Sequence, residues 1–203
     1  MPLDQPEINH IDTRTHIEHG LLDTHERNAI IDAARGTGGE ELEAFGGNLT
    51  AHPVDDPYEL FGDHIVYRLC NAVRHANEAI FGWNIPLDVF RFGVNHYRPS
   101  TTPNNEGDSM GVHVDDERRE DFPWHVAHRG ISMSVPLRQS PEGGQLRLLT
   151  NADTDEWTIP HLNPGDAIMF GSSTDHEVTP VAGGERWVLL FWAYTNHFRN
   201  GIR

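Results

Sequence analysis

Residues 163–194 read NPGDAIMFGSSTDHEVTPVAGGERWVLLFWAY. Two turns rich in Pro and Gly, Asn163-Pro164-Gly165-Asp166 and Ala182-Gly183-Gly184-Glu185, separate three short apolar runs. These runs predict strands over Ala167 to Phe170, Glu177 to Val181 and Arg186 to Tyr194. Trp187 to Trp192 is apolar at every position, which a strand covered on both faces requires.

Further strands are expected upstream, at Leu87 to Tyr97, Gly130 to Leu137, Gly144 to Leu149 and Trp157 to Ile159. The first eighty or so residues read as mainly helical. Asp23, three before Glu26, opens an amphipathic segment from Leu22 to Arg35 as a capping box. Asp56 to Phe81 carries one apolar stripe through Leu60, Phe61, Ile65, Leu69, Val73, Ala76 and Ile80, and such a stripe must cover a sheet. The expected architecture is mainly β with N-terminal helices: a cupin-like jelly roll, or double-stranded β-helix, with helices backing one sheet. It forms one domain over residues 1–203, with helical support over 1–85 and the jelly roll over 86–203. Residues 99 to 111 form the longest expected loop and a lid candidate, since Met110 is their one apolar residue.

Composition narrows the chemistry. The 203 residues carry a net charge of −16, and every basic side chain is an arginine. Lysine nucleophiles, Schiff bases and P-loop phosphate binding are excluded, and the acidic surface argues against nucleic acid as a partner. No long apolar run or leader-like N-terminus is present, so neither a membrane partner nor secretion is expected. The single cysteine, Cys70, excludes an internal disulfide framework and suits a reducing cytoplasm.

The chain has 14 histidines, and His113-Val114-Asp115 is the first candidate among them. Residues two apart on a strand point to one face, so this pair can reach a single metal ion. With a distant second histidine it would make the facial triad of non-haem Fe(II), and His176, beside an expected strand, is the natural third ligand. Arg186, ten residues on, can bind a carboxylate through both guanidinium nitrogens. Spacing alone proves little: His10-Ile11-Asp12 matches too, and a histidine followed ten later by arginine occurs four times. Only His113, Asp115, His176 and Arg186 fall on expected strands or at their ends. His125 and His128 read as surface or packing residues, and Asp116 to Asp121 as a solvated loop.

In this order the motifs resemble the Fe(II)/2-oxoglutarate-dependent oxygenases of the prolyl 4-hydroxylase-like branch. The resemblance runs from residue 89 to 192 through Asn95-His96-Tyr97-Arg98, His113-Val114-Asp115 and Gly143-Gly144-Gln145-Leu146. It continues through Pro164 to Phe170, His176 to Val181, and Gly184-Glu185-Arg186-Trp187. It implies that His113, Asp115 and His176 hold Fe(II), that Arg186 pairs with the distal carboxylate of 2-oxoglutarate, and that Tyr97 contacts the same co-substrate. O2 is the second co-substrate so implied. The stretch between Tyr97 and His113 is longer than the family's usual spacing. The implied activity is hydroxylation of an unactivated C–H in a small molecule or amino-acid derivative. A peptidyl or protein hydroxylase of the prolyl type would share these residues, and a non-catalytic metal-binding or sensor jelly roll is the alternative from another class. Trp192 stands where nucleic-acid dealkylases of this fold carry a second arginine, and Asp115 where halogenases carry a small residue.

Overall fold

The computed structural model describes residues 14–83, 85, 90–101, 106–115, 118–119 and 127–196. The His10/Asp12 pair, residues 87–89, the middle of the 99–111 loop, His125 and most of Asp116 to Asp121 lie outside the described residues.

The described chain opens with β1 (Thr15–Glu18) and α1 (Thr24–Gly36). The capping box forms as the spacing predicts. The Glu26 N–H donates to the Asp23 carboxylate at 2.8 Å, and the Asp23 N–H donates to Glu26 at 3.0 Å. The second helical stretch is divided into α2 (Pro57–Phe61), α3 (Asp63–Ala76) and a π-helical turn over Asn77–Phe81. The break falls at Gly62, whose φ of 83° no helix tolerates. The stripe survives the break, because α3 buries Ile65, Val66, Leu69, Ala72, Val73 and Ala76.

The expectation of a mainly helical first eighty residues needs correction between 40 and 54. Here β2 (Glu40–Ala44) and β3 (Gly47–Val54) form an antiparallel hairpin. Its turn is Phe45-Gly46, with φ of 51° and 78°, so both residues take the left-handed conformation of a tight primed turn. A non-glycine residue held there costs roughly 1–2 kcal/mol. The acids of Glu40-Glu41-Leu42-Glu43 look helical in sequence. They suit instead an edge strand, where charge blocks pairing with another chain. The helical support is therefore a mixed layer, whose strands join the jelly roll.

The remaining strands are β4 (Phe90–Tyr97), β5 (Met110–His113), β6 (Arg118–Arg119), β7 (Ala127–Arg138) and β8 (Glu142–Gly143). After them come β9 (Leu146–Asn151), β10 (Glu156–Thr158), β11 (Ala167–Gly171), β12 (His176–Val178), β13 (Val181–Gly183) and β14 (Arg186–Asn196). The larger sheet runs β1-β11-β7-β14-β4-β3-β2, with β6 also on β7; the smaller runs β10-β9-β12-β5, and β13 pairs with β8. Every pairing is antiparallel. Leu49, Tyr97 and Val188 of the larger sheet pack with Val178 and Val181, closing the jelly roll.

Strand β14 explains its own unbroken apolar run. Trp187, Leu189, Phe191 and Ala193 pack with the helices in the main core. Arg186, Val188, Leu190 and Trp192 point the other way and line a cavity of about 650 Å³. The 99–111 loop is shorter than expected, since Met110 and Gly111 belong to β5. Its base is closed by the Asp108 N–H donating to the Arg98 carbonyl at 2.8 Å and the Arg98 N–H donating to Asp108 Oδ2 at 2.9 Å.

The turn before β11 is held by buried Asp166. Its carboxylate accepts from the N–H groups of Gly20 and Asn163, each at 2.8 Å, with His19 at 3.2 Å. Burial pushes this carboxyl up, but the N–H groups of Asn163 and Gly20, together with His19, outweigh it and hold it below its ordinary range. Asp166→Ala should lower the unfolding free energy by about 2–3 kcal/mol at neutral pH, measured by denaturant titration. A depressed carboxyl stabilises above its unfolded pKa and loses that contribution as pH falls through its folded one. The gap between parent and variant should therefore narrow below about pH 4.

Candidate metal centre and co-substrate pocket

Strands β5 and β12 pair so that His113 stands directly opposite His176. Asp115 follows just beyond β5, where its N–H donates to the Ser172 carbonyl at 2.8 Å and keeps the chain extended past the sheet edge. The ligand atoms of His113, Asp115 and His176 all lie within 4.8 Å of one another, and His176 Nε2 is 3.6 Å from Asp115 Oδ2. Among the described residues, no other group of His, Cys, Asp and Glu side chains converges in this way.

Both imidazoles are oriented by the backbone. His113 Nδ1 lies 2.8 Å from the Gly111 carbonyl and His176 Nδ1 lies 2.9 Å from the Thr174 carbonyl. A carbonyl oxygen only accepts, so each Nδ1 carries the proton and each Nε2 keeps its lone pair for a metal ion. Burial, reinforced by His176, pushes His113 below its ordinary pKa, which favours the neutral form that a metal needs. Asp115 Oδ1 has the Arg129 guanidinium 3.9 Å away, and Arg129 lies over the Trp192 ring at 4.4 Å.

Arg186 sits deeper. It is 5% exposed, pairs across the ladder with Tyr97, and lies over that ring at 5.0 Å. Burial pulls the guanidinium below its ordinary pKa, with Tyr97 opposing, and pushes the Tyr97 hydroxyl up, with Arg186 opposing. A guanidinium nevertheless stays charged at neutral pH. The quoted Gly143-Gly144 pair has a physical role here, because a Cβ on Gly144 would press 3.3 Å from Arg186 Cδ and 2.9 Å from Val181 Cγ2. Among the described residues, the buried Arg186 Nη1 has no hydrogen-bond partner. A buried cation in that state calls for an anion.

All five residues singled out in the sequence line the one cavity: His113, Asp115, His176, Arg186 and Tyr97. Two imidazoles and a carboxylate suit Fe(II), and an orphaned guanidinium nitrogen suits a carboxylate of 2-oxoglutarate. The donor set therefore fits both groups that the resemblance implies. Sequence reasoning passed over Arg129, Asn95 and Phe45, which line the same cavity. For Arg129 a signal existed: an arginine beside Gly130-Ile131-Ser132-Met133-Ser134-Val135 puts charge on a covered strand, where it needs a purpose.

The family model of the 2OG-Fe(II) oxygenase superfamily matches residues 92–194. A PKHD-type hydroxylase of Synechococcus sp. (strain CC9605) is 37% identical over 83 residues, covering 36% of this chain and 36% of that protein. The chain spans between 36% and 56% of the length of the curated relatives it matches. Among solved structures, a Pseudomonas putida prolyl-4-hydroxylase superposes with a TM-score of 0.65 at 20% identity, covering 90% of this chain and 92% of that one. A Trichoplax adhaerens prolyl hydroxylase, solved with a hypoxia inducible factor peptide fragment, gives 0.64 at 14% identity over 89% and 83%. The jelly roll with its converging histidines and carboxylate, and a family match spanning half of the sequence, lead to one conclusion: the chain belongs to the 2OG-Fe(II) oxygenase superfamily.

Proposed function

We propose that this chain, as a single domain over 1–203, is an Fe(II)- and 2-oxoglutarate-dependent dioxygenase. It hydroxylates an unactivated C–H bond of a small molecule or amino-acid derivative. The observation that carries the reading is one cavity lined by both the His113/Asp115/His176 cluster and the partnerless Nη1 of Arg186. Bound iron and 2-oxoglutarate supply the oxidising chemistry, with O2 consumed and the co-substrate released as succinate and CO2.

The residues divide the work. His113, Asp115 and His176 would hold the ion. Arg186 anchors the distal carboxylate of 2-oxoglutarate, and the Tyr97 ring walls the same pocket and excludes water from it. Arg129 braces Asp115 from behind, so the carboxylate keeps its orientation. The rest of the 650 Å³ is available to substrate, and its walls offer Arg91 as a cation and Glu40 and Asp55 as anions. Charges of both signs favour an amino-acid-like substrate.

A prolyl-type peptidyl hydroxylase is the second reading, supported by the peptide bound to the Trichoplax adhaerens neighbour. No helix among the described residues is long and apolar enough to cross a membrane. A cytoplasmic setting accords with Cys70 as the only cysteine, a free thiol that burial pushes up to a pKa of about 11.

Succinate release should require both Fe(II) and 2-oxoglutarate, and a substrate panel of free amino acids and proline-containing peptides should separate the two readings. His113→Ala or His176→Ala should abolish Fe(II) binding, followed anaerobically by the visible band of the iron–2-oxoglutarate complex. Full-strength absorbance in either variant would remove that residue from the ligand set. Arg186→Ala deletes one partner of a buried charge pair, a loss of about 2–5 kcal/mol, so the apparent 2-oxoglutarate constant should rise more than tenfold with iron affinity little changed. A constant within twofold of the parent's would reject the carboxylate role.

A further inference from the structure

Phe45 is an unexpected residue for its position. It takes the first central place of the two-residue turn between β2 and β3, with φ of 51°, where Asn or Gly meets no steric penalty. Burial does not explain it either, since Phe45 is 59% exposed. Neither turn chemistry nor the hydrophobic effect accounts for a phenyl ring here.

Its contact does. The Phe45 ring stacks on the His113 imidazole with centroids 4.5 Å apart and planes 15° from parallel. The hairpin tip is pressed onto β5 closely enough to exclude side chains there. A Cβ on Gly111 would lie 2.0 Å from the Phe45 carbonyl oxygen, and one on Gly47 would lie 2.3 Å from that of Ser109. The Ser109 N–H donates to the Asn48 carbonyl at 2.9 Å and fixes the same approach. Glycine at two facing positions and a strained phenylalanine between them make one device.

We propose that Phe45 is a positioning residue for His113. The Nδ1–H bond to the Gly111 carbonyl fixes one atom of the imidazole but leaves the ring free to rock about that bond. A flat contact on one face removes that freedom. The opposite neighbour, His176, is tilted by 47° at 4.1 Å and cannot set the plane alone. The phenyl ring therefore aims Nε2 at the metal position, and being exposed at the cavity wall it also covers that face of the imidazole against water. This role rests on the reading of His113 as a metal ligand.

The test uses Co(II) as probe on metal-free protein, because its visible absorption reports ligand geometry without turnover. Phe45→Asn removes the ring yet suits the turn; Phe45→Tyr keeps the ring. The Asn variant should melt at or above the parent's temperature without metal. It should bind Co(II) about five- to tenfold more weakly, the scale of a lost aromatic stack or of a partner that orients a ligand, with a shifted visible band. The Tyr variant should bind within twofold of the parent. Parent-like Co(II) affinity and spectrum in the Asn variant would overturn the proposal, as would a Tyr variant as weak as Asn. His113→Ala separates the two levels of inference. If it binds Co(II) as the parent does, the metal reading itself fails. If it loses Co(II) while the Asn variant does not, only the role of Phe45 fails.

Discussion

A guanidinium held out of water on a central strand is the constraint around which this jelly roll is arranged. Removing a cation from water is costly unless hydrogen bonds and opposite charge replace the solvent. Arg186 has an acidic neighbour in sequence, Glu185, yet does not pair with it. Successive residues of a strand leave on opposite faces, so Glu185 turns to the helical side. There it lies 3.8, 3.7 and 3.6 Å from Arg35, His96 and Arg138 and accepts from Trp187 Nε1 at 3.1 Å. Those contacts, the Trp187 hydrogen bond foremost, hold Glu185 below its ordinary pKa. The pleat thus separates charges that are one residue apart. On the cavity side Arg186 has the Tyr97 ring for partial compensation and the space that Gly144 leaves open. On the reading proposed above, the remaining demand for an anion is what a carboxylate would answer.

The second half of the chain was legible because its signals are local and repeat. Pro-Gly and Gly-Gly turns bound the strands, and the period of two places His113 beside Asp115. The position of His176 opposite His113 follows from strand pairing, which no spacing rule contains; ordered motifs stood in for it. The capping box at Asp23 formed because both partners lie within one turn. Gly62 was also visible in sequence, but a single glycine inside a strong apolar stripe reads as tolerated until its φ is known.

The hairpin over 40–54 was not legible, and the reason is physical. Acids give β2 a helical appearance, whereas its place at the sheet edge makes them suitable for a strand. The turn lacks the Asn-Gly signature because its first residue is chosen for a contact with β5, distant in sequence. Phe45 shows that difficulty most plainly: it matters through His113, a neighbour brought close by the fold. Local propensity loses wherever a tertiary contact decides the residue.

Among the described residues, the smaller sheet ends in β5, which pairs with β12 and has the tip of the β2–β3 hairpin against it. Its ladder is short and its register shifts between His176 and Val178. Two of the three converging side chains, His113 and Asp115, lie at or just beyond the end of this short strand, and the third lies on its ladder partner β12. On the reading proposed above, an ion held by all three would act as a rivet between β5 and β12. Free-energy linkage then ties strand fraying to metal occupancy, since whatever binds the closed edge opposes its opening.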